Sequence, residues 1–144
     1  MILIDVNLLL YAHHRASLQH ERSRLWLEQV LSGVQPVGLA WATIVSFIRI
    51  STSARILARP LTLDEAIGIV AGWLSQPTVA ILEPGEGHWS IFSQLLKTGQ
   101  ATGPLASDAH LAALAIEHGA TLCSNDRDFS RFPNLKLLNP LEPE

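Results

Sequence analysis

Ile2-Leu3-Ile4-Asp5-Val6-Asn7 is the stretch on which the reading of the fold turns. Three apolar residues from position 2 read as a strand buried on both faces, and an aspartate interrupts the run where the chain turns into Leu8-Leu9-Leu10-Tyr11. An unpaired carboxylate is costly to bury, so Asp5 is expected to face a crevice or a cation. In an open α/β sheet, ligands bind beyond the carboxyl ends of the strands. The remaining acidic residues are therefore searched for those that end beside Asp5.

The chain that follows alternates strand and helix signals. Asn7 can cap a short helix through about Arg15, and a longer helix is expected from Gln19 to Leu31 with Gly33 at its end. Pro36 to Ala40 reads as a second strand, Thr43 to Ala54 as a helix in spite of its β-branched residues, and Thr62 with Glu65 as the capping box of a helix to Leu74. Thr78 to Leu82 is the third strand, followed by a helix from about His88 and a glycine-rich loop from Thr98 to Pro104. Ser107-Asp108 opens the most apolar helix, Ala109 to His118, which Gly119 closes. Thr121 to Ser124 forms a fourth strand, Asn125 to Phe129 a turn into a short helical piece, and Leu135 to Leu138 a fifth, shorter strand. The pattern predicts one α/β domain over residues 1–139, three-layered α/β/α around a parallel sheet of four to five strands, with a frayed tail at 140–144.

The length of 144 residues suits one domain with a sizeable core. With 16% charged residues, against roughly 25% in ordinary soluble domains, the surface is poor in charge, which points to a face covered by a partner or a second copy. A net charge of −3 excludes binding of nucleic acid through bulk positive charge but leaves room for a local basic rim. A single cysteine, Cys123, excludes an intramolecular disulfide and reads as a small core residue. The start does not read as a signal peptide, no apolar run approaches a membrane span, and a cytoplasmic location is expected.

Three acidic places occupy matching points of this architecture: Asp5 after strand one, Asp108 at the start of the apolar helix, and Asp126 with Asp128 after strand four. Each alone also has a structural reading, as a helix cap, a charge at a helix N-terminus or an Asx-turn. If strands one and four are neighbours, all of them meet at one crevice. Carboxylates so close repel one another unless a cation neutralises them, and oxygen ligands without His or Cys select Mg²⁺, or Mn²⁺ in its place. The chemistry such an ion supports is phosphoryl transfer, and hydrolysis of a nucleic acid strand is the leading expectation.

Here the chain resembles the PIN-domain ribonucleases, and among them the VapC-type toxins of bacterial toxin-antitoxin pairs. The likeness runs through Met1-Ile2-Leu3-Ile4-Asp5-Val6-Asn7-Leu8-Leu9-Leu10-Tyr11-Ala12, Ser107-Asp108-Ala109-His110-Leu111-Ala112-Ala113-Leu114-Ala115 and Ser124-Asn125-Asp126-Arg127-Asp128-Phe129. It implies that Asp5 and Asp108 are metal ligands, that Asp126 completes the site directly or through water with Asp128 in support, and that Ser124 and Asn7 orient the carboxylates or waters. It further implies an Mg²⁺-dependent endoribonuclease that inhibits translation by cutting tRNA or ribosomal RNA, with a metal-activated water as nucleophile and 5′-phosphate and 3′-hydroxyl products. A VapB-like antitoxin and a toxin homodimer are the implied partners. Where the family commonly has a glutamate this chain has Ser46, and no acidic residue lies between Glu28 and Asp64. The expectation is one well-held Mg²⁺, not two.

Arg15, Arg49, Arg55, Arg59, Arg127 and Arg131 lie in segments that could rim the crevice, with Arg49 favoured because it follows Ser46 by three on one helix face. His13-His14 is expected at the surface of a helix end, His110 within the fold, and the tryptophans in the core or an interface, with Trp41 alone placed near the crevice by its position after strand two. Two rival functions stand beside the nuclease. One is a haloacid-dehalogenase-like phosphatase, which wants a second aspartate where Asn7 stands and a better-placed lysine than Lys136. The other is a PIN domain whose chemistry has lapsed with the missing glutamate and which binds RNA or a protein partner.

Overall fold

In the computed structural model, which describes residues 1–142, five short parallel strands form one sheet. They are β1 (Ile2–Ile4), β2 (Val37–Leu39), β3 (Val79–Ile81), β4 (Thr121–Cys123) and β5 (Leu137–Leu138), in the spatial order β3-β2-β1-β4-β5. The chain steps outward from β1 to β2 to β3, then returns to place β4 on the other side of β1. The topological switch point therefore lies between β1 and β4.

Helices cover both faces. β1 is buried throughout, and its alternation divides it between two cores. Ile2 and Ile4 pack with Leu8, Leu27, Phe47 and Trp73, that is, with α1 (Val6–His13), α2 (His20–Ser32), α3 (Trp41–Ser51) and α4 (Leu63–Leu74). Leu3 packs with Leu95, Leu114 and Phe129 on the opposite face, under α5 (His88–Thr98), α6 (Leu105–His118) and a 3₁₀ turn at Arg127–Arg131. The three layers follow from the sequence as expected, including the capping box of Thr62 and Glu65 and the left-handed Gly119, with φ of 66°, that ends α6. In α6, Ala109, Ala112, Ala113 and Ala115 are completely buried, so that small side chains let the helix lie close on the sheet.

Several expectations need correction. Of the two cap candidates for α1, Asp5 takes the place and Asn7 does not: Asp5 Oδ1 accepts from the Val6 amide at 2.7 Å, which leaves Asn7 free to reach across to β4. α6 starts at Leu105, so Asp108 sits within its first turn and does not cap it. His13 is only partly exposed: its ring packs against both Phe47 and Trp73, which touch each other, and its Nε2 is buried without a partner. Of the two places expected for Trp89, the core is ruled out, since it is 69% exposed in this chain. The tail does not fray from residue 140: Leu141 is buried in the core on the α1 side and its amide bonds Asn139 Oδ1. Residues 143 and 144 lie outside the described residues.

Gly38 in β2 shows how tightly the sheet and its covering segments meet. A Cβ at this position would stand 2.5 Å from Leu82 Cδ1 and 2.6 Å from its Cγ, and Leu82 is itself buried. Gly38→Ala is therefore expected to destabilise the protein by about 1–3 kcal/mol through overpacking, read as a lower urea midpoint with an unchanged slope.

Candidate active site

The switch point brings the acidic residues together. β1 and β4 pair as Leu3 with Leu122 and Ile4 with Cys123, and the Asp5 amide continues the ladder to the Cys123 carbonyl at 2.9 Å. Asp5 and Ser124 then lie side by side at the carboxyl edge. The Ser124 hydroxyl donates to Asp5 Oδ2 at 2.7 Å, accepts from the Asp126 amide at 2.9 Å, and accepts a longer bond, 3.4 Å, from Asn7 Nδ2. A hydroxyl has one donor and two acceptor positions, so this buried serine is fully used in fixing three residues of the site.

Beyond Ser124 the chain forms an Asx-turn, in which Asp126 Oδ1 accepts from the Asp128 amide at 2.9 Å and starts the 3₁₀ turn. That turn folds Asp128 back beside Asp126. Asp108 projects from the first turn of α6, and one carboxylate oxygen from each of Asp108, Asp126 and Asp128 lies within 4.8 Å of the others. Asp5 stands outside this close trio, with its two oxygens engaged by Val6 and Ser124.

The charges are poorly compensated. Burial first, then the carboxylates of Asp126, Asp5 and Asp128, push Asp108 up to about 6, against a weaker opposing pull from Arg131. Burial also raises Asp5, opposed by the hydrogen bonds from Ser124 and Val6 and assisted by the Asp126 charge. Arg131 Nη2 is 3.9 Å from Asp128 Oδ1, and Nη1 of the same guanidinium donates to the Gly99 carbonyl at 2.9 Å. Among the described residues the one ion-pair contact to these four carboxylates is that of Arg131 with Asp128, and the group offers hard oxygen with no ligating His or Cys. That donor set fits a divalent cation of the Mg²⁺ or Mn²⁺ type.

The other residues singled out in the sequence scatter. Arg127 lines a shallow pocket of about 300 Å³ with Ser124, Asn125 and Asp126, next to the carboxylates. Arg49 is exposed on α3. Arg15 lines a separate, larger cavity of about 840 Å³ at the far end of α1, with His13, His14, His20, Arg24 and Arg59. Ser46 makes no hydrogen bond to the acidic group among the described residues, and α3 contributes no carboxylate. Cys123 is buried and its thiol is pushed up to about 12, as a core residue requires. Sequence reasoning missed the brace behind the site: Asn139 Nδ2 donates to Asn125 Oδ1 at 2.9 Å, and Asn125 Nδ2 to the Tyr11 hydroxyl at 3.5 Å. The one available signal was that Asn139 directly follows β5, at the same edge of the sheet.

Known proteins resemble this chain in sequence and in fold. A family model described as the PIN domain matches residues 2–135. The chain is similar to Ribonuclease VapC33 of Mycobacterium tuberculosis, 43% identical over 141 residues that cover 98% of this chain and 99% of the relative. It is also similar to Ribonuclease VapC37 of the same organism, 39% identical over 140 residues covering 97% of each. Among solved structures, VapBC2 from Rickettsia felis, bound to a DNA fragment from its promoter, matches with a TM-score of 0.70 at 21% identity, over 96% of this chain and 98% of that one.

The raised Asp108 sets a pH dependence. A carboxyl whose folded-state pKa lies above its ordinary value of 3.8 makes the metal-free protein less stable as pH rises from there through about 6. In EDTA at pH 7.5, Asp108→Asn is expected to stabilise the protein by about 1–2 kcal/mol, the nominal effect of such a shift discounted for partial solvation. The gain should shrink as pH falls from 6 toward 4, measured by urea denaturation at each pH.

Proposed function

The chain belongs to the PIN-domain family, and we propose that within it this protein is a metal-dependent endoribonuclease toxin of the VapC kind, which cuts RNA phosphodiester bonds and so inhibits translation. The observation that carries this reading is the group of Asp108, Asp126 and Asp128 within 4.8 Å of one another, with Asp5 buried beside them, at the switch point of the sheet. The ribonuclease names of relatives near 40% identity over nearly the whole chain support the same reading.

Asp108, Asp126 and Asp128 would hold the ion, together with Asp5. Asp128 thus stands nearer the centre of the site than a supporting residue. A bound Mg²⁺, or Mn²⁺ in its place, would neutralise charge on the phosphodiester and lower the pKa of a water. The protein's own part is preorganisation. Ser124 and the Val6 amide keep Asp5 oriented, the Asx-turn keeps Asp126 and Asp128 together, and Arg127 and Arg131 stand beside the carboxylates where phosphates flanking the scissile bond would lie. With Ser46 at the position of the family glutamate, the site carries less negative charge, and one tightly bound ion is the reading that follows. tRNA or ribosomal RNA is the proposed substrate, cut in an exposed single-stranded loop. A VapB-like antitoxin is the proposed regulator and the cytoplasm the proposed location; among the described residues no helix is long and apolar enough to cross a membrane.

A second reading, a lapsed PIN domain that only binds RNA or a partner, is favoured by one observation: α3 adds no acid to the cluster.

Purified protein should cut total bacterial RNA into discrete fragments with Mg²⁺ or Mn²⁺, stop in EDTA, and lose the activity in an Asp5→Ala/Asp108→Ala variant. A folded, metal-loaded protein that leaves a broad RNA pool intact would establish the lapsed reading instead. Isothermal titration with Mn²⁺ is expected to show a single tight site; two tight sites would contradict the role given to Ser46.

A further inference from the structure

The carboxylate group ends at β1, but the carboxyl edge of the sheet continues over β2 and β3. There a pocket of about 370 Å³ opens, lined by Ala40, Trp41, Leu82, Pro84, His110 and Leu114 among others. Its position is set by the strand register. Leu3 pairs with Gly38, so two residues further along Ala40 comes level with Asp5 on the neighbouring strand, about 5 Å away, and Trp41 is the next residue. His110, on the α6 wall, stands two residues from Asp108. The pocket is thus the lateral continuation of the acidic crevice.

Its chemistry differs from that of the crevice. Trp41 is the first residue of α3 and leaves half of its surface, 52%, open to solvent, an unusual expenditure for an indole that could have turned inward. Opposite it, His110 is held by a chain of rings: His110 Nδ1 is 2.9 Å from His88 Nε2, and His88 Nδ1 is 3.4 Å from Glu117 Oε1. Phe92 meets the His110 ring edge-on. His88 Nδ1 is buried without a hydrogen-bond partner, with the Glu117 carboxylate near it but not in hydrogen-bond geometry, while the His88–His110 bond holds the His110 ring in place. His110 Nε2, the nitrogen not used in that bond, has no hydrogen-bond partner among the described residues and can donate or accept according to tautomer. Glu117 also accepts the Gly85 amide at 3.0 Å, and His118 Nε2 bonds the Glu83 carbonyl at 2.8 Å, so the turn that forms the Glu83–Pro84 wall is tied to α6. A flat aromatic face, a fixed hydrogen-bonding edge and a rigid wall, all beside a phosphate-cleaving centre, are what an unpaired base requires.

We propose that this pocket is a nucleobase subsite, in which an unpaired base next to the scissile phosphate stacks on Trp41 and has its edge hydrogen-bonded by His110. The inference rests on the nuclease reading and adds to it a determinant of where the strand is cut.

The test uses a single-stranded oligoribonucleotide spanning a mapped cleavage site, and a set in which each nucleotide in turn is made abasic. In the wild type, one abasic position adjacent to the scissile phosphate should lower kcat/KM by roughly 10- to 100-fold. Trp41→Ala should show a similar loss on the intact strand and become indifferent to that abasic position, while Trp41→Phe retains most of the activity. His110→Ala should keep the abasic penalty but weaken discrimination among bases at that position. Trp89→Ala, which removes the other highly exposed indole, should behave as wild type. Penalties of Trp41→Ala and the abasic position that multiply would overturn the subsite, as would a Trp41→Ala enzyme as active as wild type. A loss that tracks a change of mass in light scattering would assign Trp41 to self-association and likewise overturn it. Wild-type protein that cuts no member of the set would overturn the nuclease reading itself, and the subsite with it.

Discussion

The parallel pairing of β1 with β4 is the constraint on which the rest depends. β1 is hydrogen-bonded on both edges and buried on both faces, so it cannot slide without exposing one core or the other. The ladder runs one residue past the strand, through the Asp5 amide to the Cys123 carbonyl, so the register that fixes the core also fixes the first acid beside Ser124. Every later feature of the site uses that fixed point: the Asx-turn begins from Ser124, and Asn7 reaches it from α1. Placing the chemistry one residue beyond the most constrained strand makes position a consequence of folding, with little left to loop flexibility.

Charge works against this order. The hydroxyl of Ser124 satisfies Asp5, but nothing among the described residues satisfies Asp108 comparably, and Arg131 is divided between Asp128 and the Gly99 carbonyl. The carboxylates are held together by backbone geometry and against their mutual repulsion. A fold that tolerates such repulsion keeps a site whose electrostatics a bound cation would complete, and it accepts lower stability without one.

Periodicity and punctuation made the architecture legible. The apolar run at Ile2–Ile4, the capping box at Thr62 and Glu65, and Gly119 after an alanine-rich helix each act through short-range physics that a single sequence displays. What stayed hidden depended on contacts distant along the chain. Asp5 and Asn7 both look like caps until the fold gives that place to Asp5, and Asp108 keeps its place at a helix N-terminus although α6 starts at Leu105, four residues before the expected Ala109. Leu141 looks like tail until a core is found beneath it. The packing of the His13 ring on Phe47 and Trp73 and the brace from Asn139 through Asn125 to Tyr11 likewise join residues that no local rule connects. Acidic residues could be listed in advance; which of them crowd together, and which is held apart by its own hydrogen bonds, required the fold.

α3 then acquires a different meaning. On the proposed function, the helix that would ordinarily bring a further carboxylate to the crevice brings none, and Ser46 leaves the site with less charge to offer a cation. The same helix opens with Trp41, level with the far side of Asp5 and half exposed over the neighbouring pocket. Charge–charge binding is sequence-independent and weakens with salt, whereas stacking on an indole is little affected by salt and sensitive to which nucleotide is unpaired. An active site that gives up a carboxylate and presents an aromatic face at the adjacent strand end relies less on grip at the phosphate and more on the base beside it. In a protein of net charge −3, with only scattered arginines to hold a polyanion, that exchange is the one that still leaves a strand bound in a defined register.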